Sequence, residues 1–138
     1  CIRDSAHRMK RPRMHTVPLA DWTVELLHEL QAITGHTPYL LPSRTKDGYI
    51  SENTLGKIIN HMGYKGIATP HGFRSLASST LNEQGFNPDA IERQLAHVPT
   101  DKVRAAYNRT EYLTERIEMM QWYADHLKQH FIEASKKV

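Results

Sequence analysis

Apolar residues recur along most of this chain at three- and four-residue steps, the period that lines up one face of an α-helix. Leu26, Leu27, Leu30 and Ile33 predict a helix over residues 20–34, with Gly35 as its stop. Leu55, Ile58, Ile59 and Met62 predict a second helix, capped by Ser51 and ending near Gly63. A third carries Phe73, Leu76, Ala77, Thr80 and Leu81 as its buried stripe. Thr69 is its N-cap, Pro70 its first residue and Gly85 its stop. Asn87-Pro88 restarts the chain in a fourth helix that runs to about Ala96 and delivers His97 at its end. Asp101 caps a short helix bearing Tyr107, and Thr110 opens a long last helix with Leu113, Ile117, Met120, Ala124, Leu127 and Phe131 on its core side. The pattern changes only near the start. Met14 to Leu19 alternates and is β-prone, and Arg11-Pro12 supplies turn or edge chemistry, so residues 1–19 read as a β-hairpin with Lys10 at its turn. Pro38 to Ser43 is too short and proline-bounded for a central strand, and Arg44 to Tyr49 is polar loop. The expected fold is mainly α with a small N-terminal β-hairpin, an α+β chain.

With 138 residues the chain has the size of one domain with a core of its own. Its formal net charge is +3, which permits a nucleic-acid partner without specifying one. The placement of the charge says more: Arg3, Arg8, Lys10, Arg11 and Arg13 face one acid, Asp4, across the first fifteen positions, and the rest is near neutral. That edge is either a solvated basic surface or a DNA-facing one, and the anion motif downstream favours DNA contacts by Arg8, Arg11 and Arg13. A single cysteine, Cys1, rules out an internal disulfide and suits a reducing compartment. There is no apolar run of membrane-spanning length and no signal-peptide core, so a soluble, cytoplasmic protein is expected. A chain beginning at Cys1 rather than Met reads as a fragment or a processed product.

The candidate chemistry lies between Thr69 and Tyr107. His71 and Arg74 stand three apart on the third helix, so both can face one anion. They occupy its first turns, where unpaired backbone N–H groups and the helix dipole already favour a phosphate.

The order His71-x-x-Arg74, then Leu95-Ala96-His97, then Tyr107 resembles the tyrosine recombinase (phage integrase) family. The wording Leu95-Ala96-His97-Val98, Arg104-Ala105-Ala106-Tyr107-Asn108-Arg109 and Met119-Met120-Gln121-Trp122 is similar to prophage and satellite-phage integrases. From His97 to Tyr107 the spacing is one residue longer than in many members. The resemblance implies the C-terminal part of a DNA breaking-rejoining catalytic domain across residues 1–138. It also implies roles: Tyr107 as nucleophile, Arg74 and His97 as donors to the scissile phosphate, His71 as base or donor, and Lys10 as general acid. It implies attachment-site duplex DNA as partner, self-association on DNA as a tetramer, accessory DNA-bending proteins, a nucleoid location and no cofactor or metal. The family's first active-site arginine belongs upstream of the strands. Arg3 and Arg8 do not stand where it belongs, and the N-terminal DNA-clamping domain is absent too, so residues 1–138 alone are expected to cleave DNA poorly.

Each residue has a plainer reading beside this one. Lys10 also fits an exposed lysine in a basic cluster, His97 a structural histidine, and Tyr107 a packing tyrosine like Tyr112 and Tyr123. His126 and His130 lie one turn apart, but no Glu or Cys pair accompanies them, which argues against zinc. The competing function classes are a helical DNA-binding module without catalysis and a helical scaffold whose last helix docks a partner. A detergent-resistant covalent DNA adduct marks the enzyme, gel retardation without adduct marks the binder, and a stable oligomer with neither marks the scaffold.

Overall fold

The computed structural model of the chain describes residues 2–4, 15–97 and 112–136. It is mainly helical. Strand β1 (Ile2–Asp4) pairs antiparallel with β2 (His15–Val17), in the register Ile2 to Val17 and Asp4 to His15. Helices α1 (Asp21–Thr34), α2 (Thr54–Ile59), α3 (Pro70–Glu83), α4 (Pro88–Gln94) and α5 (Leu113–Ser135) follow. The turn expected to carry Lys10 lies outside the described residues, as do Asp101, Tyr107 and Thr110.

The chain forms two compact units, one of residues 1–23 and 78–138, the other of residues 24–77. In the first, Leu81 of α3, Ile91 of α4 and Met119 of α5 make the buried core, and Phe86, Leu95, Met120, Trp122 and Tyr123 pack around it. Phe86 and Trp122 meet at 5.4 Å between ring centroids. Asn87 Nδ2 donates to Glu115 Oε2 at 2.8 Å, and Gln121 Oε1 accepts from the Asp21 backbone N–H at 3.0 Å. Trp22 lies against Phe131 at 5.8 Å. The long helix is thus fastened along its length to β-strand, α4 and the start of α1 together.

In the second unit the turn at residues 43–48 is closed by Ser43 N–H to the Gly48 carbonyl at 2.9 Å, and Tyr39 stacks obliquely on Tyr49 at 5.2 Å. The expected polar loop is therefore a tight turn, flanked by a single antiparallel bridge between Pro42 and Tyr49. After α2 the helix widens to a π turn, Asn60–Tyr64, and Gly63 leaves it at φ 92°, a left-handed conformation that a side chain would oppose.

Three expectations need correction. Ser51 is not the cap of α2: the helix starts at Thr54 behind Asn53, which makes no side-chain cap bond, while Ser51 Oγ meets Thr54 Oγ1 at 3.0 Å and its carbonyl closes a turn. The apolar stripes of α1 and of early α3 are not buried; Ile33 is 71% exposed and Phe73 54%. Periodicity identifies which face of a helix is apolar, and a second element must cover that face before it becomes core. The buried side of α5 is also rotated from the expected one. Ala124 and Met120 of the expected stripe do face the core, but Leu113, Ile117, Leu127 and Phe131 are exposed, and Arg116 and Met119 are buried instead.

Met119→Ala should remove the α5 contribution to the Leu81–Ile91 cluster and lower stability by about 2–5 kcal/mol. Ile117→Ala, on the exposed side of the same helix, should change it by less than about 1 kcal/mol. Urea unfolding of the two variants checks the rotated stripe, and equal losses would restore the expected one.

Candidate functional site

The entry to α3 is built by local chemistry. Thr69 Oγ1 accepts the Gly72 backbone N–H at 2.9 Å, and the Thr69 carbonyl accepts from Phe73 N–H at 3.2 Å. Gly72 fits close under that cap, since a Cβ there would lie 3.1 Å from Thr69 Oγ1. His71 is exposed in the first turn and Arg74, half-buried, follows one turn later on the same side. The structure therefore brings His71 and Arg74 together at a capped, proline-started helix N-terminus. There the helix dipole and the remaining N–H groups add to the guanidinium charge.

His97 belongs to the other compact unit, at the end of α4. Asn87 caps the start of that helix by accepting Asp89 N–H at 3.0 Å. Its far end closes as a Schellman turn: His97 N–H reaches the Glu92 carbonyl at 2.9 Å and Ala96 N–H the Arg93 carbonyl at 3.1 Å. The turn requires a left-handed residue, and Ala96 fills that place at φ 52°. An L-residue with a Cβ is held there against a cost of about 1–2 kcal/mol. The motif fixes the backbone at His97, and its side chain is fixed as well. Nδ1 lies 2.8 Å from Glu92 Oε2, so Nδ1 carries the proton and Nε2 points away from the carboxylate. Glu92 is inconspicuous in the sequence, because an exposed helix glutamate looks like solvent-facing charge. Its spacing, five residues before a helix-ending histidine, is the only available signal.

Lys10, Arg8, Arg11, Arg13 and Tyr107 lie outside the described residues. Of the tyrosines near the chain's end, Tyr123 packs on the core and burial raises its hydroxyl above the ordinary value near 10.0. Tyr112 caps α5 in a left-handed conformation, φ 48°. No group of three or more His, Cys, Asp or Glu side chains able to hold a metal occurs among the described residues. His126 instead stacks on Trp122 at 5.1 Å and meets His130 edge-on at 4.6 Å. No described helix is long and apolar enough to cross a membrane.

Comparison with protein families matches residues 2–113 to the phage integrase family. The chain belongs to the phage integrase family. It is 44% identical over 124 residues to prophage integrase IntA of Escherichia coli K12, covering 89% of this chain and 30% of that protein. It is 43% identical over 131 residues to the integrase of Enterobacteria phage P4, covering 91% and 30%. With the integrase of Shigella phage Sf6 the identity is 42% over 121 residues, covering 86% and 31%. The chain thus spans about 30% of the length of these relatives. No solved structure matches it. The matched span takes in Lys10, His71, Arg74, His97 and Tyr107 and ends where α5 begins.

The Schellman turn makes a direct prediction for this integrase segment. Ala96→Gly should relieve the left-handed strain, partly offset by the extra freedom glycine gives the unfolded chain, and stabilise by about 0.5–1 kcal/mol. Ala96→Val should destabilise. Denaturant midpoints of the two variants check the sign of each.

Proposed function

We propose that these residues are part of the catalytic domain of a site-specific DNA recombinase that works through a covalent phosphotyrosine. The observation that carries the proposal is the family match, which contains all five candidate side chains in order. The capped α3 terminus supports it, because His71 and Arg74 stand where a phosphate is best received.

In this reading Tyr107 Oη attacks a backbone phosphorus of duplex DNA. The P–O5′ bond breaks, a 3′-phosphotyrosyl link forms, and the 5′ oxygen leaves with a proton supplied by Lys10. His71 accepts the tyrosine proton or donates to the phosphate. A tyrosine hydroxyl ordinarily titrates near 10 and a phosphodiester repels nucleophiles, so both a base and cationic donors are needed. Arg74 supplies a planar pair of N–H donors to the non-bridging oxygens. His97, with its Nδ1 tied to Glu92, offers Nε2 to the same phosphate when that nitrogen carries a proton. The phosphotyrosine conserves the bond energy, so a second strand's 5′ hydroxyl reseals without ATP or metal. Arg8, Arg11 and Arg13 contact the DNA backbone. The partners are attachment-site DNA, further copies of the recombinase in a tetramer and accessory DNA-bending proteins, and the place of action is the bacterial nucleoid.

Tyr107→Phe in a full-length recombinase carrying these residues should retain DNA binding and lose the detergent-resistant adduct on a nicked suicide substrate. An adduct formed at the wild-type rate would reject Tyr107 as nucleophile. Retardation without any adduct from the wild type would instead mark a helical DNA-binding module. Lys10→Ala should slow cleavage of an ordinary phosphodiester by about a hundredfold and spare a substrate whose 5′ leaving oxygen is sulfur, since a thiolate leaves without a general acid. Equal slowing of both would reduce Lys10 to a phosphate contact.

A further inference from the structure

We infer that Arg116, to which the reaction above gives no part, is a positioning residue that holds the general-acid strand and the His97 turn in one register. The inference rests on the recombinase reading. Arg116 lies in the first turns of α5, nine positions after Tyr107, and is 0% exposed. Its Nε donates to Gln94 Oε1 at 2.9 Å, and its Nη2 donates to the Thr16 carbonyl. The same two segments are tied a second time, because His15, itself buried, donates from Nε2 to the Gln94 carbonyl at 3.3 Å. Gln94 is the last residue of α4, three positions before His97. Thr16 is the middle residue of β2, which begins five positions after Lys10.

One guanidinium therefore joins the three segments that lead to Lys10, His97 and Tyr107. An arginine suits this task because its donors are fixed in a plane and point in diverging directions, so two acceptors on separate elements are held at a set distance. An apolar side chain of similar volume would fill the space but leave the longer His15–Gln94 hydrogen bond as the tie between strand and helix end. Burial of a cation costs free energy that such an apolar residue would not incur, which favours a specifying role over a simply stabilising one. Displacement of β2 by about 1 Å would misplace a general acid enough to cost up to a hundredfold in rate.

The test uses a full-length recombinase carrying these residues, with two suicide substrates that differ only in an oxygen or a sulfur at the 5′ leaving position. Arg116→Met should slow adduct formation on the oxygen substrate by about tenfold or more, and on the sulfur substrate by less than about threefold. DNA affinity should stay within about twofold. Arg116→Lys keeps the buried charge but not the fork, and should show the same bias toward the oxygen substrate at smaller size; it carries the test if the Met variant does not fold. Equal slowing on both substrates, greater slowing on sulfur, or unchanged rates on both would each overturn the inference. Wild-type adduct on both substrates is the control, and its absence would overturn the recombinase reading and this inference together.

Discussion

The fully buried guanidinium of Arg116 is the constraint on which the first unit depends. A cation away from water must be surrounded by fixed oxygen acceptors, and those acceptors have to come from somewhere. Among them are the Thr16 carbonyl of β2 and the Gln94 side chain at the end of α4, so the helix that packs Met119 into the Leu81–Ile91 cluster is also hydrogen-bonded to strand and helix end. Apolar burial drives this assembly, since it scales with area and tolerates small slips, whereas the hydrogen bonds tolerate few. The hydrophobic contacts hold the three helices together, and the arginine sets their register.

This division explains which parts of the chain were legible in its sequence. The caps at Thr69 and Asn87 and the stop at Gly85 could be read from residues within a turn of each other, because the chemistry that makes them is local. The pairing of β2 with β1 was legible from alternation near Met14–Leu19. The buried faces were not. In α5 the expected apolar series is Leu113, Ile117, Met120, Ala124, Leu127 and Phe131; Ala124 is buried and Met120 packs on the core, but the other four are exposed while Arg116 and Met119 are buried. A stripe rule ranks positions by apolarity and so discards an arginine, while the structure selects the face on which that arginine meets its acceptors. The same blindness hides Glu92, whose value comes from a histidine five residues away in a turn that only the fold creates.

In the candidate site the legible part is the pair His71 and Arg74, fixed by helix spacing alone. The conformation of the His97 turn is the part that sequence could not supply. Alanine is an unusual choice for the left-handed place in a Schellman turn, and residues held in sparsely populated backbone conformations are commonly found at functional positions where surrounding contacts over-determine them. At Ala96 the over-determination is visible: two backbone hydrogen bonds close the turn, and the Glu92–His97 contact spans it. The histidine is presented by a rigid loop rather than by a helix face, and so its direction depends on the turn more than on α4.

The choice among tyrosines follows from similar physics. In the proposed reaction a tyrosine nucleophile must lose its proton and reach a phosphate, which requires both solvent-side access and a nearby base. Tyr123 suits the role less, because its half-buried ring packs against the Leu81–Ile91–Met119 cluster and desolvation raises its hydroxyl. Tyr39 and Tyr49 are engaged with each other at the residue 43–48 turn, in the chain segment before α2. Tyr112 caps α5, with its carbonyl accepting from Arg116 N–H at 2.8 Å, so the backbone leading to it is committed to starting the long helix. Tyr107 stands five positions earlier, between the fixed His97 turn and that committed start. The proposed assignment to Tyr107 rests on the family match that contains it, and the packing of Tyr39, Tyr49, Tyr112 and Tyr123 is compatible with it.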